Sequence, residues 1–198
     1  MAHVYAAYWD RGLEQVERMT GLGMTPTAAA LAGADIREVC RRLGIDLPVA
    51  RLLDVGCGTG RLSALAGPGY LGVDIAPSAI RYCTSRAIPA RVINGPESLA
   101  ALEDDSFDWV WACSVFTHID RDEQQQYLQQ FARIAPCVLV DILPGDPGRT
   151  PARWGSDEDA FRADLAAAGY VIDPLTTDVV DGHGPTAPHH RYFVGRRA

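Results

Sequence analysis

Lysine is missing from this chain: all 18 of its basic residues are arginine. That absence excludes Schiff-base chemistry and a Walker-type phosphate loop, which both need a lysine amine. Positive charge is also scarce in bulk. Against 25 acidic residues the arginines leave a formal net charge of −7, and the adjacent basic pairs are Arg41/Arg42 and Arg196/Arg197 alone. No dense basic patch follows, so no nucleic-acid partner is expected. No apolar run comes near the roughly 18 residues that a membrane helix needs. The opening MAHVYAAYWDRG has neither a basic leader nor an uninterrupted apolar core, so it does not read as a secretory signal. Cysteines are few, odd in number and widely spaced (Cys40, Cys57, Cys83, Cys113, Cys137), with no C-x-x-C pair. Such a set fits reduced thiols. The expectation is a soluble, cytoplasmic protein with no membrane association.

What is present fits one domain with a small appendage. At 198 residues, 47% apolar and 22% charged, the chain can build a core without disulfides or metals. Residues 1–48 read as an N-terminal helical cap: one segment to about Arg18, a Gly/Thr/Pro break at 20–26, then a helix to about Leu43 closed by Gly44 and Pro48. From 49 to 198 the pattern alternates. Short apolar runs lie at 51–55, 70–73, 91–93, 107–113, 137–143, 170–175 and 191–194, and helical stretches separate the first five. Two helices carry start signals, Asp120 with Glu123 and Ser156 with Asp159. The fold class is α/β: a doubly wound, mostly parallel seven-stranded sheet. The last two runs are joined by a loop (176–190), so they form an antiparallel C-terminal hairpin.

The first strand ends in Asp54-Val55-Gly56-Cys57-Gly58-Thr59-Gly60. Glycines at such a turn let the backbone bend tightly and approach a ligand. The next strand ends in Asp74, a carboxylate placed to accept both hydroxyls of a ribose. The two signals suggest an adenosine-containing ligand. A dinucleotide is the obvious rival, but its G-x-G-x-x-G places a third glycine where this chain has Arg61. Asp54 also suits an amino acid's ammonium group better than a pyrophosphate. A tight structural turn is the plainer alternative.

LLDVGCGTG, then LGVDIAPSAI, then DDSFDWVWACSVFTHI closely resembles the class I S-adenosylmethionine-dependent methyltransferases over roughly residues 50 to 197. The likeness is greatest to the small-molecule branch that carries "FTH" after the fourth strand. The resemblance implies a Rossmann-like methyltransferase fold, S-adenosylmethionine as cofactor and S-adenosylhomocysteine as product. By the same resemblance Gly56, Cys57, Gly58 and Gly60 bring backbone against the methionine and ribose portions. Asp54 holds the methionine ammonium, Asp74 the ribose, and Ile75 covers one adenine face. Cys113 offers its carbonyl to the ammonium, with Ser114 beside it. Many relatives carry an acid after the third strand for the adenine amino group, where this chain has Gly95. Either Glu97 substitutes or backbone groups around Ser98 serve. The stretch from Gly60 to Asp74 is short, so the first crossover helix should be stubby.

The implied activity is methyl transfer to an oxygen or nitrogen of a small-molecule metabolite. The alternatives are an RNA or protein methyltransferase and a non-catalytic cofactor-binding protein. His118, just past the fourth strand, is the candidate base, since imidazole titrates near neutrality; shaping the loop is its other reading. The acceptor pocket would draw on Tyr5, Tyr8 and Trp9 of the N-terminal helix, which as plain packing would simply be core. It would also draw on His118 and on Arg153 and Trp154 of a Pro/Gly-rich lid at 144–154. No metal is expected: metal-dependent relatives carry an aspartate where this chain has Cys113 and Ser114. His183, His189 and His190 read as part of a solvated loop.

Overall fold

The computed structural model describes residues 36–144, 149–150, 153–175, 177–180 and 189–197. Tyr5, Tyr8, Trp9 and His183 lie outside these residues. Seven strands follow one another across the sheet in the order β3-β2-β1-β4-β5-β10-β8. They are β1 (Val49–Val55), β2 (Ala66–Asp74), β3 (Ala90–Val92), β4 (Trp109–Ala112), β5 (Cys137–Pro144), β8 (Tyr170–Ile172) and β10 (His189–Arg197). The first five run parallel, and β10 lies antiparallel to both β5 and β8. The chain moves outward from β1 through β2 to β3, then returns to lay β4 on the other side of β1. Strand order therefore reverses between β1 and β4, the point where open sheets of this kind bind ligands.

The helices form where the apolar spacing asks for them. α1 spans Pro77–Ser85, α2 spans Arg121–Ile134 and α3 spans Glu158–Ala167. Asp120 caps α2 as its spacing predicts, accepting from the Glu123 N–H at 2.9 Å. Tyr127, Leu128, Phe131 and Ile134 then face the sheet. Phe131 and Phe161 of α3 both pack on Phe116, with ring centroids 6.1 and 5.7 Å away. The first crossover is shorter than a stubby helix: only a 3-10 turn, Ser63–Leu65, separates β1 from β2.

Each face of the sheet buries its own apolar layer. Val110 and Ala112 of β4 join α2 and α3 on one side. Trp111, Leu52, Leu139 and Tyr192 join Ile36, Val39, Cys40 and Leu43 on the other, with Trp109 packed against that layer. Residues 36–42 are helical. The helix ends as expected at Gly44, whose φ of +64° is left-handed, with the Ile45 N–H reaching back to the Cys40 carbonyl at 2.8 Å.

Three expectations need correction. The 144–154 segment is not all loop: β6 (Arg149–Thr150) and β7 (Arg153–Ser156) pair antiparallel, and β7 pairs in parallel with the end of β5. Because β7 runs through Ser156, the cap of α3 passes to Asp157, which accepts from the Ala160 N–H at 2.8 Å. The 176–190 segment likewise contains β9 (Thr177–Val180), paired with β10 from His189 to Tyr192. The β-branched content of Thr177, Val179 and Val180 is what favours extension there.

Candidate cofactor and acceptor site

The turn after β1 is built from backbone contacts that only glycine permits at two points. The Gly56 and Cys57 N–H groups both donate to the Val73 carbonyl of β2, at 2.8 and 3.1 Å. Gly56 has φ +69°, and a Cβ there would stand 2.4 Å from Val115 Cγ2. Its lack of side chain thus serves packing against the segment after β4. Gly58, at φ +53°, is different: nothing lies within 4 Å of where its Cβ would be. That is the open stretch of backbone a ligand can approach. Gly60 closes the turn, its N–H donating to the Cys57 carbonyl at 2.9 Å. Cys57 is 2% exposed and turns its thiol inward, so only its backbone faces the loop.

Two carboxylates flank this turn. Asp74, at the tip of β2, accepts from the Gly58 N–H through Oδ2 and from the Ala76 N–H through Oδ1, both at 2.8 Å. It ties the glycine loop to β2, and burial raises its proton affinity. Asp54 is 1% exposed. The Tyr70 hydroxyl donates to its Oδ2 at 2.8 Å. Burial pushes the Asp54 carboxyl up to about 7, against the opposing pull of the Tyr70 hydroxyl and the Arg61 guanidinium. A buried carboxyl poised in this way favours a cationic partner.

Comparison with known proteins gives the arrangement its family. The methyltransferase-domain profile matches residues 52–135. A ubiquinone biosynthesis O-methyltransferase from Xanthomonas campestris is 34% identical over 160 residues, covering 74% of this chain and 56% of that protein. The matched segment, from β1 to the end of α2, is a methyltransferase domain of the class I S-adenosylmethionine-dependent kind.

The chain spans about half the length of that methyltransferase. An O-antigen chain terminator bifunctional methyltransferase/kinase from Escherichia coli is 30% identical over 132 residues, 60% of this chain and 18% of that one. The fold also matches solved methyltransferases. Magnesium protoporphyrin IX methyltransferase from Synechocystis, with bound S-adenosylhomocysteine, has a TM-score of 0.73 at 19% identity, covering 98% of both chains. A possible histamine N-methyltransferase from Thermotoga maritima has a TM-score of 0.66 at 17% identity, covering 96% of this chain and 98% of that one.

The family's cofactor is S-adenosylmethionine, and the residues present fit it. The open backbone at Gly58, the buried carboxyl of Asp54 and the carboxylate of Asp74 stand along one strand edge. The remaining sequence-derived positions fall around them unevenly. Ile75 is half-buried against the core. Glu97 is exposed on a 3-10 turn, Pro96–Ala101, and stands next to Gly95, where a Cβ would come within 2.6 Å of Glu97 Oε2. Ser98 Oγ accepts from the Asn94 N–H at 3.0 Å, fixing the bend between β3 and that turn. The Cys113 carbonyl, which the resemblance allots to the ammonium, accepts from Arg61 Nη2 at 3.3 Å. Burial raises the proton affinity of the Cys113 thiol, which keeps it inert.

Beyond β4 the chain turns sharply. Ser114 has φ +64°, and its N–H donates to Asp141 Oδ1 at 2.5 Å. His118 is half-buried, its backbone N–H held by the Val115 carbonyl at 2.9 Å. Arg153 and Trp154 lie on β7, which pairs in parallel with the carboxyl end of β5 through Gly155 and Ser156. Reading His190 as part of a solvated loop proves incorrect: it is 5% exposed on β10, and its Nδ1 pairs with Asp141 Oδ2. Arg61, Tyr70, Asp141 and His190 were all missed. The signal for Asp141 was an acid set inside the apolar run CVLVDIL, since a buried charge on a strand demands a partner.

Proposed function

We propose that the chain transfers the methyl group of S-adenosylmethionine to an oxygen or nitrogen of a small-molecule acceptor, by in-line displacement. The observation that carries this reading is the set Asp54, Gly58 and Asp74 at the reversal of strand order. When bound, the cofactor supplies a methyl carbon already activated by its sulfonium. Asp74 keeps unused lone pairs for the ribose hydroxyls, and Ile75 flanks the adenine. Glu97 or the backbone near Ser98 meets the adenine amino group. Asp54 draws the ammonium, with Arg61, Cys113 and Ser114 alongside. Tyr5, Tyr8, Trp9, His118, Arg153 and Trp154 are assigned to the acceptor side, with His118 as a candidate base. Much of the rate then comes from alignment and exclusion of water.

The relative from Xanthomonas carries an O-methyltransferase name, which favours a hydroxyl acceptor. The test is transfer of labelled methyl to a panel of phenols, carboxylic acids and amines, run beside RNA and peptide pools. Transfer to a small molecule supports the reading. Transfer confined to RNA or peptide would replace the acceptor class, and binding without transfer to anything would make the chain a cofactor-binding protein.

A further inference from the structure

S-adenosylmethionine carries two charges at its amino-acid end, an ammonium and a carboxylate. Asp54, buried near the end of β1, and the Cys113 carbonyl suit the first. The second needs donors of its own. Backbone N–H groups often meet an anion at a turn or a helix N-terminus. Here that supply is largely committed. The Gly56 and Cys57 N–H groups donate to the Val73 carbonyl, Gly60 to Cys57 and Ser63 to Gly60. The Gly58 N–H is held by Asp74 Oδ2. Only the 3-10 turn Ser63–Leu65 follows, with no α-helix between β1 and β2. Arg61, next in the chain after Gly60, brings the charge that the backbone does not. It is half-buried, and its Nη2 donates to the Cys113 carbonyl at 3.3 Å, across the gap between the ends of β1 and β4. Its guanidinium also draws the Asp54 carboxyl down against the effect of burial. The bond to Cys113 occupies one N–H of a planar fork that offers several and matches a carboxylate.

We propose that Arg61 recognises the α-carboxylate of the cofactor and, in the cofactor-free protein, stands in for its ammonium on the Cys113 carbonyl. The inference deepens the proposed function, because it rests on the cofactor's amino-acid end lying beside Asp54. Ammonium and carboxylate leave the same carbon of an α-amino acid. A carboxylate whose ammonium meets Asp54 and Cys113 therefore comes within reach of the guanidinium lodged between them. On binding, the ammonium takes over the Cys113 carbonyl and the Asp54 charge, and the guanidinium turns its fork onto the carboxylate. The exchange keeps buried Asp54 beside a cation in both states, as a buried carboxylate requires. It also selects the ligand. An adenosine compound with an ammonium but no carboxylate leaves two like charges competing for the same oxygens, a repulsion that S-adenosylmethionine escapes.

Calorimetry on the full chain tests this with two ligands: S-adenosylhomocysteine, and its decarboxylated aminopropyl analogue, which keeps the ammonium and lacks the carboxylate. The wild type should bind S-adenosylhomocysteine at least about tenfold more tightly than the analogue, since a charge-assisted fork is lost with the carboxylate. Arg61→Gln should weaken S-adenosylhomocysteine at least about tenfold and leave the analogue within about threefold of its wild-type affinity, so that the preference collapses. Arg61→Lys, which keeps the charge without the fork, should retain part of the preference. Equal affinity of the wild type for the two ligands overturns the inference without any variant. A preference that survives intact in Arg61→Gln overturns it too, as does an equal loss of both ligands there, which is the mark of a purely structural role. Wild type that binds neither ligand sinks instead the cofactor placement on which the proposed function stands.

Discussion

Replacing Asp54 by asparagine should make the cofactor-free protein more stable and its cofactor site worse. Asp54 is 1% exposed, and its carboxyl is raised from the ordinary 3.8 to about 7. At about 1.4 kcal/mol per tenfold change in proton affinity, ionising it inside the fold costs about 4 kcal/mol more than in the unfolded chain. The sign follows from linkage. Between pH 4 and 7 the native state binds more protons than the unfolded one, so stability falls as pH rises through that window and levels off above it. Asparagine keeps the shape and an oxygen for the Tyr70 hydroxyl but carries no charge. The hydrogen bond to a neutral amide is weaker by about 1 kcal/mol. The net expectation is a gain of about 3 kcal/mol at pH 8, shrinking to nothing or a small loss near pH 4. Urea unfolding of both proteins at several pH values, without cofactor, measures the difference directly. The same variant should bind S-adenosylhomocysteine at least tenfold more weakly at pH 8, because the ammonium loses its counter-charge. A gain independent of pH, or no gain at pH 8, would refute the argument that burial of this charge is a cost kept for ligand binding.

The two glycines should separate packing from ligand approach. Gly58→Ala has room for its methyl and should cost the cofactor-free protein only about 1 kcal/mol, from the left-handed backbone, while calorimetry shows cofactor affinity sharply reduced. Gly56→Ala drives a methyl toward Val115 and should cost about 2 to 4 kcal/mol in urea unfolding. Asp120→Ala should lower stability by about 1 kcal/mol by removing the cap of α2, with cofactor affinity unchanged.

How far the sequence spoke depended on whether a feature was local. The β1 turn, the Asp120 cap and the Gly44 helix end are set by residues within a few positions of one another, and all were readable. The mostly parallel seven-stranded sheet with an antiparallel C-terminal strand followed from the alternating pattern and the family likeness, while the order of its strands needed the structure. The β6–β7 hairpin was not readable, because its two short strands are hidden in Pro/Gly-rich composition and gain their support from β5. The choice between Ser156 and Asp157 as cap depended on how far β7 extends. His190 was misread for the same reason on a larger scale: its partner Asp141 is 49 residues away, joined only by the pairing of β10 with β5. Arg61 was visible as the residue that replaces a third glycine. Its reach to the Cys113 carbonyl, 52 residues on, needed the sheet to be assembled.

The central claim is that the β1 turn and the tip of β2 hold S-adenosylmethionine. Calorimetric titration of S-adenosylhomocysteine into the wild type and into Asp74→Ala tests it most directly. The account predicts one site per chain in the wild type and affinity at least tenfold weaker in the variant. Absence of binding to the wild type, or equal binding to both proteins, would contradict it.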